Sequence, residues 1–418
     1  MDSWNTAVYD RWLRAGLPRS KAAVLSALQL RTPELTPALA LNEPEWDDAL
    51  DFADRSGLTL FLPTEAMPDA ARSRIARSAE RNRQRLHRLE QLYLEVSRQL
   101  QEADIPFAFL KGLAQCGLSG HAPEHRVQYD IDLLTLPDRA SDACMALGSL
   151  GFVQFHRADG FAPDHLPPMI RRTGWQFRGD YFDCEIPTAV EVHFRLWAES
   201  TLRLRAPGVE QFWVRRHSIR HTLAPPDALG HSALHVLKHL LLGAMRPFHV
   251  YELACMLERN HEDGALWREW RADHDPQLRR LETIAFGLAR EWFGCRFPRE
   301  AEEDWDALPL RARTWFDEFA AGPLQPSNKN ELWLHCTLLA TVRDRASVIR
   351  LRLLPVRLPA PVDGVYLTDQ QLSWRRRLLS SLRQARFVAG RIGHHARAML
   401  RLAGSGARWW WKLRMLSE

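Results

Sequence analysis

Residues 129–136 read Tyr-Asp-Ile-Asp-Leu-Leu-Thr-Leu, and the prediction of the fold starts from this stretch. Side chains alternate across a β-strand, so Asp130 and Asp132 share one face while Ile131 points into the core. Two carboxylates this close raise each other's proton affinity, and a divalent cation between them removes that cost. The stretch therefore predicts a rigid strand that presents an acidic pair to a metal, although strand-end acids without a function give the same pattern.

A second apolar stretch precedes the acidic pair. Residues 105–110, Ile-Pro-Phe-Ala-Phe-Leu, are short, apolar and aromatic, which is typical of a buried strand. The strand ends at Lys111 and Gly112, and the glycines that follow indicate a turn leading into a short helix. The two strands together predict the start of a small sheet.

Two more strands are expected further along the chain, at residues 152–156 and 188–196. In the second of them Glu191 faces opposite to Val190 and Val192, so that it can join the acidic pair from a separate strand. His193 shares the face of Glu191, where it can brace a carboxylate, contact substrate or pack as a core histidine. The segment 157–187 is rich in Pro, Gly and Asp, and we expect hairpin and loop there rather than core.

Helical periodicity dominates both sides of this strand region. Apolar residues between Leu86 and Leu100 recur at spacings of three and four, which predicts one long helix over about residues 69–103. The same period returns after Pro226. The helices expected there span residues 227–242, 250–259, 277–293 and 330–354.

These elements predict an α+β protein in which a small mixed sheet is flanked by helical regions. A chain of 418 residues is long enough for two or three structural units. We divide it into an N-terminal helical region (1–104), an α/β core (105–225), a C-terminal helical domain (226–354) and a Pro-rich linker with a basic amphipathic tail (355–418).

The order of these motifs resembles a known family. An apolar strand ending in Leu110-Lys111-Gly112, then Arg126, then the Asp-Ile-Asp strand, then Glu191 two residues before a histidine is similar to the uncharacterised nucleotidyltransferases of the DNA polymerase beta superfamily. The similarity extends loosely from about Trp46 to Leu379. It implies a nucleotidyltransferase core for residues 105–225.

The resemblance also implies roles. Asp130, Asp132 and Glu191 would be catalytic and would hold Mg²⁺, with two ions expected, and a nucleoside triphosphate (NTP, for example ATP) would be the substrate. Lys111 and the backbone at Gly112 would meet the triphosphate, because a strand-to-helix turn aims free N–H groups at anions. The reaction would be transfer of a nucleoside monophosphate to an acceptor that the sequence does not identify: a small molecule, a protein or an RNA.

Two positions leave alternatives open. The wider superfamily usually has Gly-Ser or Gly-Gly at the turn, whereas Leu113 follows Gly112 here, so the triphosphate contact would depend on Lys111 and the Gly112 N–H. Lys111 could also be a solvated residue that ends a strand. Arg126 could neutralise phosphate, brace the aspartate strand or form a structural salt bridge. A catalytically weak or inactive accessory protein that keeps the fold as a scaffold of a biosynthetic complex is the alternative function.

Histidines spaced by four residues mark the helix expected at 227–242. His231, His235 and His239 lie on one helical face, which could hold zinc, although no acid of an H-E-x-x-H pattern accompanies them. The resemblance places this helix beside the active cleft, which favours nucleotide or acceptor contact by His235, Lys238 or His239. Plain helix packing is the other interpretation.

The basic charge of the chain is local. Residues Trp374 to Leu416 contain ten Arg, one Lys and no acid, so residues 1–373 hold 45 of the 56 basic and 50 of the 51 acidic residues. A basic amphipathic helix with Trp can lie on an anionic membrane surface. It can also grip RNA, which would make the enzyme an RNA-directed transferase, or dock on the acidic body of the protein.

Other classes of protein are disfavoured. The longest apolar run, residues 234–245, is interrupted by Lys238 and His239, so we expect no transmembrane segment. We expect a cytoplasmic protein, with association at the membrane periphery as the alternative. The six cysteines are scattered and form no CxxC pair, which argues against a zinc knuckle or a redox motif. No G-x-G-x-x-G follows a strand, which argues against a dinucleotide-binding dehydrogenase.

Overall fold

Helices make up most of the molecule, and one small sheet lies in the middle of the chain. The structure, a computed structural model, describes residues 7–154, 164–175, 177–325, 328–354 and 374–415. The predicted α+β class, with a mixed sheet between helical regions, is confirmed.

The N-terminal helices lead to a long helix that supports the sheet. They are α1 (Ala7–Arg14), α2 (Arg19–Ala27), α3 (Thr36–Leu39), α4 (Glu43–Ser56) and α5 (Asp69–Glu102). Helix α5 matches the predicted 69–103 helix closely. Its buried residues Leu89, Tyr93, Val96 and Leu100 follow the three- and four-residue spacing of one helical face.

Five strands form the sheet, with two helices between the early ones. In chain order the elements are β1 (Phe107–Phe109), α6 (Cys116–Ser119), β2 (Asp130–Thr135), α7 (Ala140–Ser149), β3 (Val153–Gln154), β4 (Met169–Ile170) and β5 (Ala189–His193). The strand order is β1-β2-β5-β4-β3. Among the pairs of described strands, only β2–β5 is parallel, and this pair places Asp132 opposite Glu191.

One part of the segment expected to be loop belongs to the sheet instead. Met169 and Ile170 are buried and pair with β3, and Met169 also pairs with β5. The expectation of hairpin and loop rather than core between residues 157 and 187 is therefore wrong in excluding Met169 and Ile170 from the core. Two apolar residues between prolines and arginines are too short for the alternating pattern that predicts a strand.

The two faces of the sheet have different surroundings. Phe107, Ile131, Leu133, Val190 and Val192 pack with α5 and α7 in one apolar cluster. The opposite face of β2 and β5 carries polar side chains toward the C-terminal helices. Alternation along the two strands therefore separates core residues from the candidate site.

The C-terminal helices form the main apolar core together with the N-terminal ones. They are α8 (Glu199–Leu202), α9 (Gln211–Val214), α10 (Pro225–Leu242), α11 (Pro247–Asn260), α12 (Gly264–Asp273), α13 (Pro276–Phe293), α14 (Arg299–Asp306), α15 (Leu310–Phe319), α16 (Glu331–Leu338) and α17 (Val342–Leu353). Gln29 donates to the carbonyl of Trp292 within this core. The proposed four-part division of the chain stays a prediction.

The single helix expected over residues 330–354 is in fact two. Helix α16 ends at Leu338, and α17 begins after Thr341, whose hydroxyl accepts a hydrogen bond from the Asp344 N–H at 3.0 Å. A threonine side chain that satisfies a free N–H starts a new helix, and this cap explains the break.

The last element is α18 (Trp374–Met415), which runs without a break through Gly390 and Gly393. The predicted Pro-rich linker at residues 355–373 lies outside the described residues. Within the described ranges, no helix combines the length and the apolar character needed to cross a membrane.

Candidate functional site

The acidic residues of β2 and β5 line one side of a cavity of about 370 Å³. Asp130 and Asp132 alternate with the buried Ile131, and Glu191 alternates with the buried Val190 and Val192. Because β2 and β5 are parallel neighbours in register, all three carboxylates face the same way. This volume is within the range of small-molecule sites.

Three of the residues on this side come close enough to share an ion. Ligand atoms of Asp132, Glu191 and His193 all lie within 4.8 Å of one another. The His193 Nε2 atom is 3.0 Å from Asp132 Oδ1 and 3.8 Å from Glu191 Oε2. Asp130 lines the same cavity but is outside this compact group. The sequence predicted the trio Asp130, Asp132 and Glu191, and the structure adds His193 to the closest contacts.

Lys111 supplies the positive charge nearest to these acids. Its Nζ atom is 3.0 Å from Asp132 Oδ2, and both side chains are largely buried. Burial lowers the pKa of Lys111, but the carboxylates of Asp132, Asp130 and Glu191 outweigh burial and raise it. Lys111 therefore stays a cation inside the cavity.

The pKa values of the two aspartates of β2 are shifted in opposite directions. Burial raises the pKa of Asp130, and the neighbouring charge of Asp132 raises it further. Burial also acts to raise the pKa of Asp132, but Lys111 and His193 outweigh it and hold the pKa well below its usual range. Asp132 is thus the firmly ionised member, and the site still carries negative charge that further cations would stabilise.

The turn at Gly112 has a structural explanation. Gly112 adopts a left-handed φ of 72°, and a Cβ atom there would lie 2.3 Å from Gln128 Oε1. Gly112 is buried, and it is not among the residues that line the cavity. The proposed contact between its N–H and a triphosphate stays a prediction.

Arg126 lies under the acidic strand. Its guanidinium donates to both carboxylate oxygens of Glu252, at 2.6 and 3.4 Å, and to Gln128 Oε1 at 3.0 Å. Gln128 in turn donates to the carbonyl of Asp130 at 2.6 Å. Burial acts to lower the pKa of Arg126, but Glu252 outweighs it and raises the pKa. Of the alternatives, the structure shows a salt bridge that also braces the aspartate strand.

Four histidines form the opposite side of the cavity, which we call the histidine wall: His231, His235, His239 and His249. The first three lie on α10 at the predicted four-residue spacing, and His249 joins them from α11. The rings of His235 and His249 are 4.6 Å apart between centroids, and those of His235 and His239 are 4.4 Å apart. Three nitrogens of the histidine wall are buried and have no hydrogen-bond partner among the described residues: His231 Nδ1, His235 Nε2 and His239 Nδ1.

The histidine wall is neutral at physiological pH. Burial, followed by the charge of Lys111, lowers the pKa of His231 to about 3. Burial, followed by Lys238, lowers the pKa of His239 to about 4. Burial also lowers the pKa of His235 and of His249 well below its ordinary value. Neutral imidazoles with free nitrogens offer hydrogen bonds to a polar ligand without adding charge.

Several residues that the sequence did not single out also line the cavity. Lys238 Nζ is 2.6 Å from Asp164 Oδ2, an ion pair that ties α10 to the segment before β4. His165, Arg246 and Tyr129 complete this part of the lining. Asp164 lies in a segment without helical or strand periodicity, so its negative charge was the only feature of the sequence that could have predicted a pairing with Lys238. The predicted ligand-contact residues Lys111, Arg126, His193, His235, Lys238 and His239 all line the cavity, whereas Gly112 does not.

Comparison with known proteins gives one match. A family model described as an uncharacterised nucleotidyltransferase covers residues 42–294, which is more than half of the 418 residues. The match includes the sheet, α10 and α11, and therefore both sides of the cavity; the similarity expected beyond residue 294 is not covered by it. No curated protein and no solved structure matches the chain.

Proposed function

The chain belongs to the family of uncharacterised nucleotidyltransferases, and we propose that it moves a nucleoside monophosphate from an NTP to a hydroxyl or phosphate acceptor. The acceptor oxygen would bond to the α-phosphorus and lose its proton. The bond between the α- and β-phosphates would break, and pyrophosphate would leave. The observation that carries this proposal is the pairing of Asp132 with Glu191 across two parallel strands beside Lys111.

The donor set of the cavity fits divalent cations. Asp132 and Glu191 offer hard oxygen ligands that already lie close together, and Asp130 offers a third on the same face. Burial, and then the neighbouring charge of Asp132, raises the pKa of Asp130, and a bound cation would offset both by stabilising the ionised carboxylate. Mg²⁺ held by these carboxylates, two ions by family resemblance, would neutralise charge on the triphosphate and the leaving pyrophosphate.

The remaining side chains have roles that follow from their contacts. Lys111 is a buried cation, suited to bind phosphate oxygens once a metal shares the charge of Asp132. His193 is within 3.0 Å of Asp132 and would orient that carboxylate. His235, Lys238 and His239 face the acids across the cavity and would contact the nucleotide or the acceptor.

A direct test uses the full chain with Mg²⁺ and each of the four NTPs labelled at the α-phosphate. We expect calorimetry to show binding of the Mg-NTP. When candidate acceptors are added in turn, we expect one of them to receive the label while pyrophosphate is released. The variant Asp132→Asn should lose transfer, while Asp138→Asn, which changes an exposed acid near the end of β2, should keep it. A wild-type chain that binds no Mg-NTP would contradict the proposal.

A second candidate is a nucleotidyltransferase fold that serves as a scaffold or nucleotide sensor. Two observations favour it. Lys111 already forms an ion pair with Asp132, which a metal would also need, and Gly112, the expected triphosphate contact, does not line the cavity. This function predicts NTP binding without pyrophosphate release for every acceptor tried. It also predicts that the Asp132→Asn variant forms the same protein complex as the wild type, because a scaffold does not need this carboxylate.

A further inference from the structure

Helix α18 has three faces, and the first of them docks on the body of the protein. At about 100° per residue, the buried positions fall in one narrow sector of the helix. They are Ala398, Leu402, Ser405 and Trp409. The Trp409 ring contacts Phe319, and Trp333 donates to the hydroxyl of Ser405 at 3.3 Å. Docking through this sector therefore attaches the C-terminal part of α18 to the body of the protein.

The second face is apolar and exposed. Six large side chains fall in a sector of about 80° that does not overlap the docked one. These side chains, which we call the apolar stripe, are 53 to 76 % exposed: Trp374, Leu378, Leu382, Ile392, Leu400 and Trp410. A stripe that runs along the whole helix is larger than the scattered apolar residues of an ordinary surface, and it indicates an interaction site.

The third face is basic and borders the apolar stripe. Six of the ten arginines of α18 fall in the next sector of about 80°. They are Arg375, Arg383, Arg386, Arg397, Arg401 and Arg408, and all are exposed. Leu379, Trp411 and Met415 interrupt this face, but no acidic residue occurs anywhere in α18.

We propose that α18 lies flat on an anionic membrane surface, with the apolar stripe inserted and the basic face against lipid headgroups. An apolar sector beside a basic sector is the arrangement that such helices need, because each face meets the layer of the bilayer that suits it. A 42-residue helix is about 63 Å long and would anchor along its length rather than span. The docked face leaves both other faces available while α18 stays attached to the protein.

Two other partners fit these faces less well. A second copy of α18 would bring two helices of the same strong positive charge together. RNA would satisfy the basic face but would leave Leu378, Leu382 and Ile392 in water, because its backbone offers charge and its bases stack on aromatic rings. An anionic lipid surface matches the charge and covers the stripe.

The test is co-sedimentation of the full chain with vesicles of phosphatidylcholine alone or with about one third phosphatidylglycerol. At low salt, we expect the protein to bind to the anionic vesicles and not to the neutral ones. The variant L378S/L382S/I392S should bind at least roughly tenfold more weakly, because apolar area no longer inserts. The variant R375Q/R383Q/R386Q should lose on the order of fivefold per arginine removed.

A matched control changes exposed apolar residues outside α18. Ile219 and Val342 are 93 and 77 % exposed, so I219S/V342S should bind vesicles like the wild type. Equal binding to neutral and anionic vesicles, or unchanged binding of L378S/L382S/I392S, would overturn the proposal. The proposal would also be overturned if the wild type did not bind vesicles but slowed the migration of single-stranded RNA in a gel. None of these outcomes bears on the nucleotidyl transfer test, which uses a different part of the chain.

Discussion

On the strand side of the cavity Asp132 contacts both Lys111 and His193, whereas across from it buried nitrogens of His231 and His235 have no partner among the described residues. The strand side is charged and mutually paired; the histidine wall is neutral and open to a ligand. Paired charges hold one another in place, and free imidazoles supply contacts that a ligand completes. We infer that the strand side would carry the chemistry and that the histidine wall would contribute binding.

In the transfer reaction, a substitution on the strand side should lower the rate far more than a substitution in the histidine wall. Glu191→Gln should lower the rate more than about 10³-fold, because a neutral amide no longer helps to hold the cation. His235→Gln should cost only about 10- to 100-fold, mostly in KM, because it removes a single hydrogen bond to the ligand. Steady-state kinetics with varied NTP measure both.

Glu185→Gln serves as the control for this comparison, since Glu185 is exposed, contacts Arg88 and does not line the cavity. If His235→Gln lowered kcat as strongly as Glu191→Gln, the assignment of chemistry to one side and binding to the other would be wrong.

The next effect concerns the brace under the strand side. Arg126→Met would leave Glu252 buried without a partner and should lower the free energy of unfolding by about 3–5 kcal/mol. Arg98→Met, which breaks an exposed pair with Glu102 on α5, should change it by less than about 1 kcal/mol. Urea unfolding gives both values, and an Arg126→Met variant as stable as the wild type would show that this ion pair does not support the fold.

A smaller effect tests the neutrality of the histidine wall. His231 has a pKa of about 3 in the folded protein against an unfolded value of 6.5, so its stabilising contribution is complete above pH 6.5 and is lost as the pH falls toward 3. Relative to wild type, His231→Gln should flatten the decline in free energy of unfolding by about 1.4 kcal/mol per pH unit below 6.5. Urea unfolding between pH 7 and pH 5 measures this slope.

His87 is exposed on α5 and provides the comparison for that measurement. His87→Gln makes the same replacement at an exposed ring and serves as the control variant. An unchanged slope for His231→Gln would mean that the buried ring takes up protons as readily as an exposed one.

The smallest expected effect tests the turn next to Lys111. Gly112→Ala would force a Cβ atom toward Gln128 at a left-handed φ, which should lower the free energy of unfolding by about 1–2 kcal/mol. Gly117→Ala is the matched control, because Gly117 lies in α6 with no atom near a new Cβ, and it should be neutral or stabilising. Thermal unfolding of the two variants compares them, and equal stability would remove the structural explanation for Gly112.

Much of the strand side could be predicted because its geometry is local. Alternation along β2 and β5 fixed the facing of Asp132 and Glu191, and the spacing of four fixed the facing of three histidines. His249 and Asp164 could not be predicted in the same way, because they reach the cavity through the packing of α11 and an aperiodic segment. The break at Thr341 was missed for a related reason: a single capping hydroxyl overrode an apolar pattern that continues across it.

The pairing of β2 with β5 has a consequence for how the protein is made. The two strands are hydrogen-bonded neighbours, yet the whole chain from Leu136 to Thr188 lies between them, and parallel pairing requires that long connection to close first. Asp132 and Glu191 therefore meet through a non-local contact, which is slower to form than a contact between near neighbours in the sequence. An ion bound by both would recognise the finished protein and not the nascent polypeptide, so it would shift the folding equilibrium by mass action.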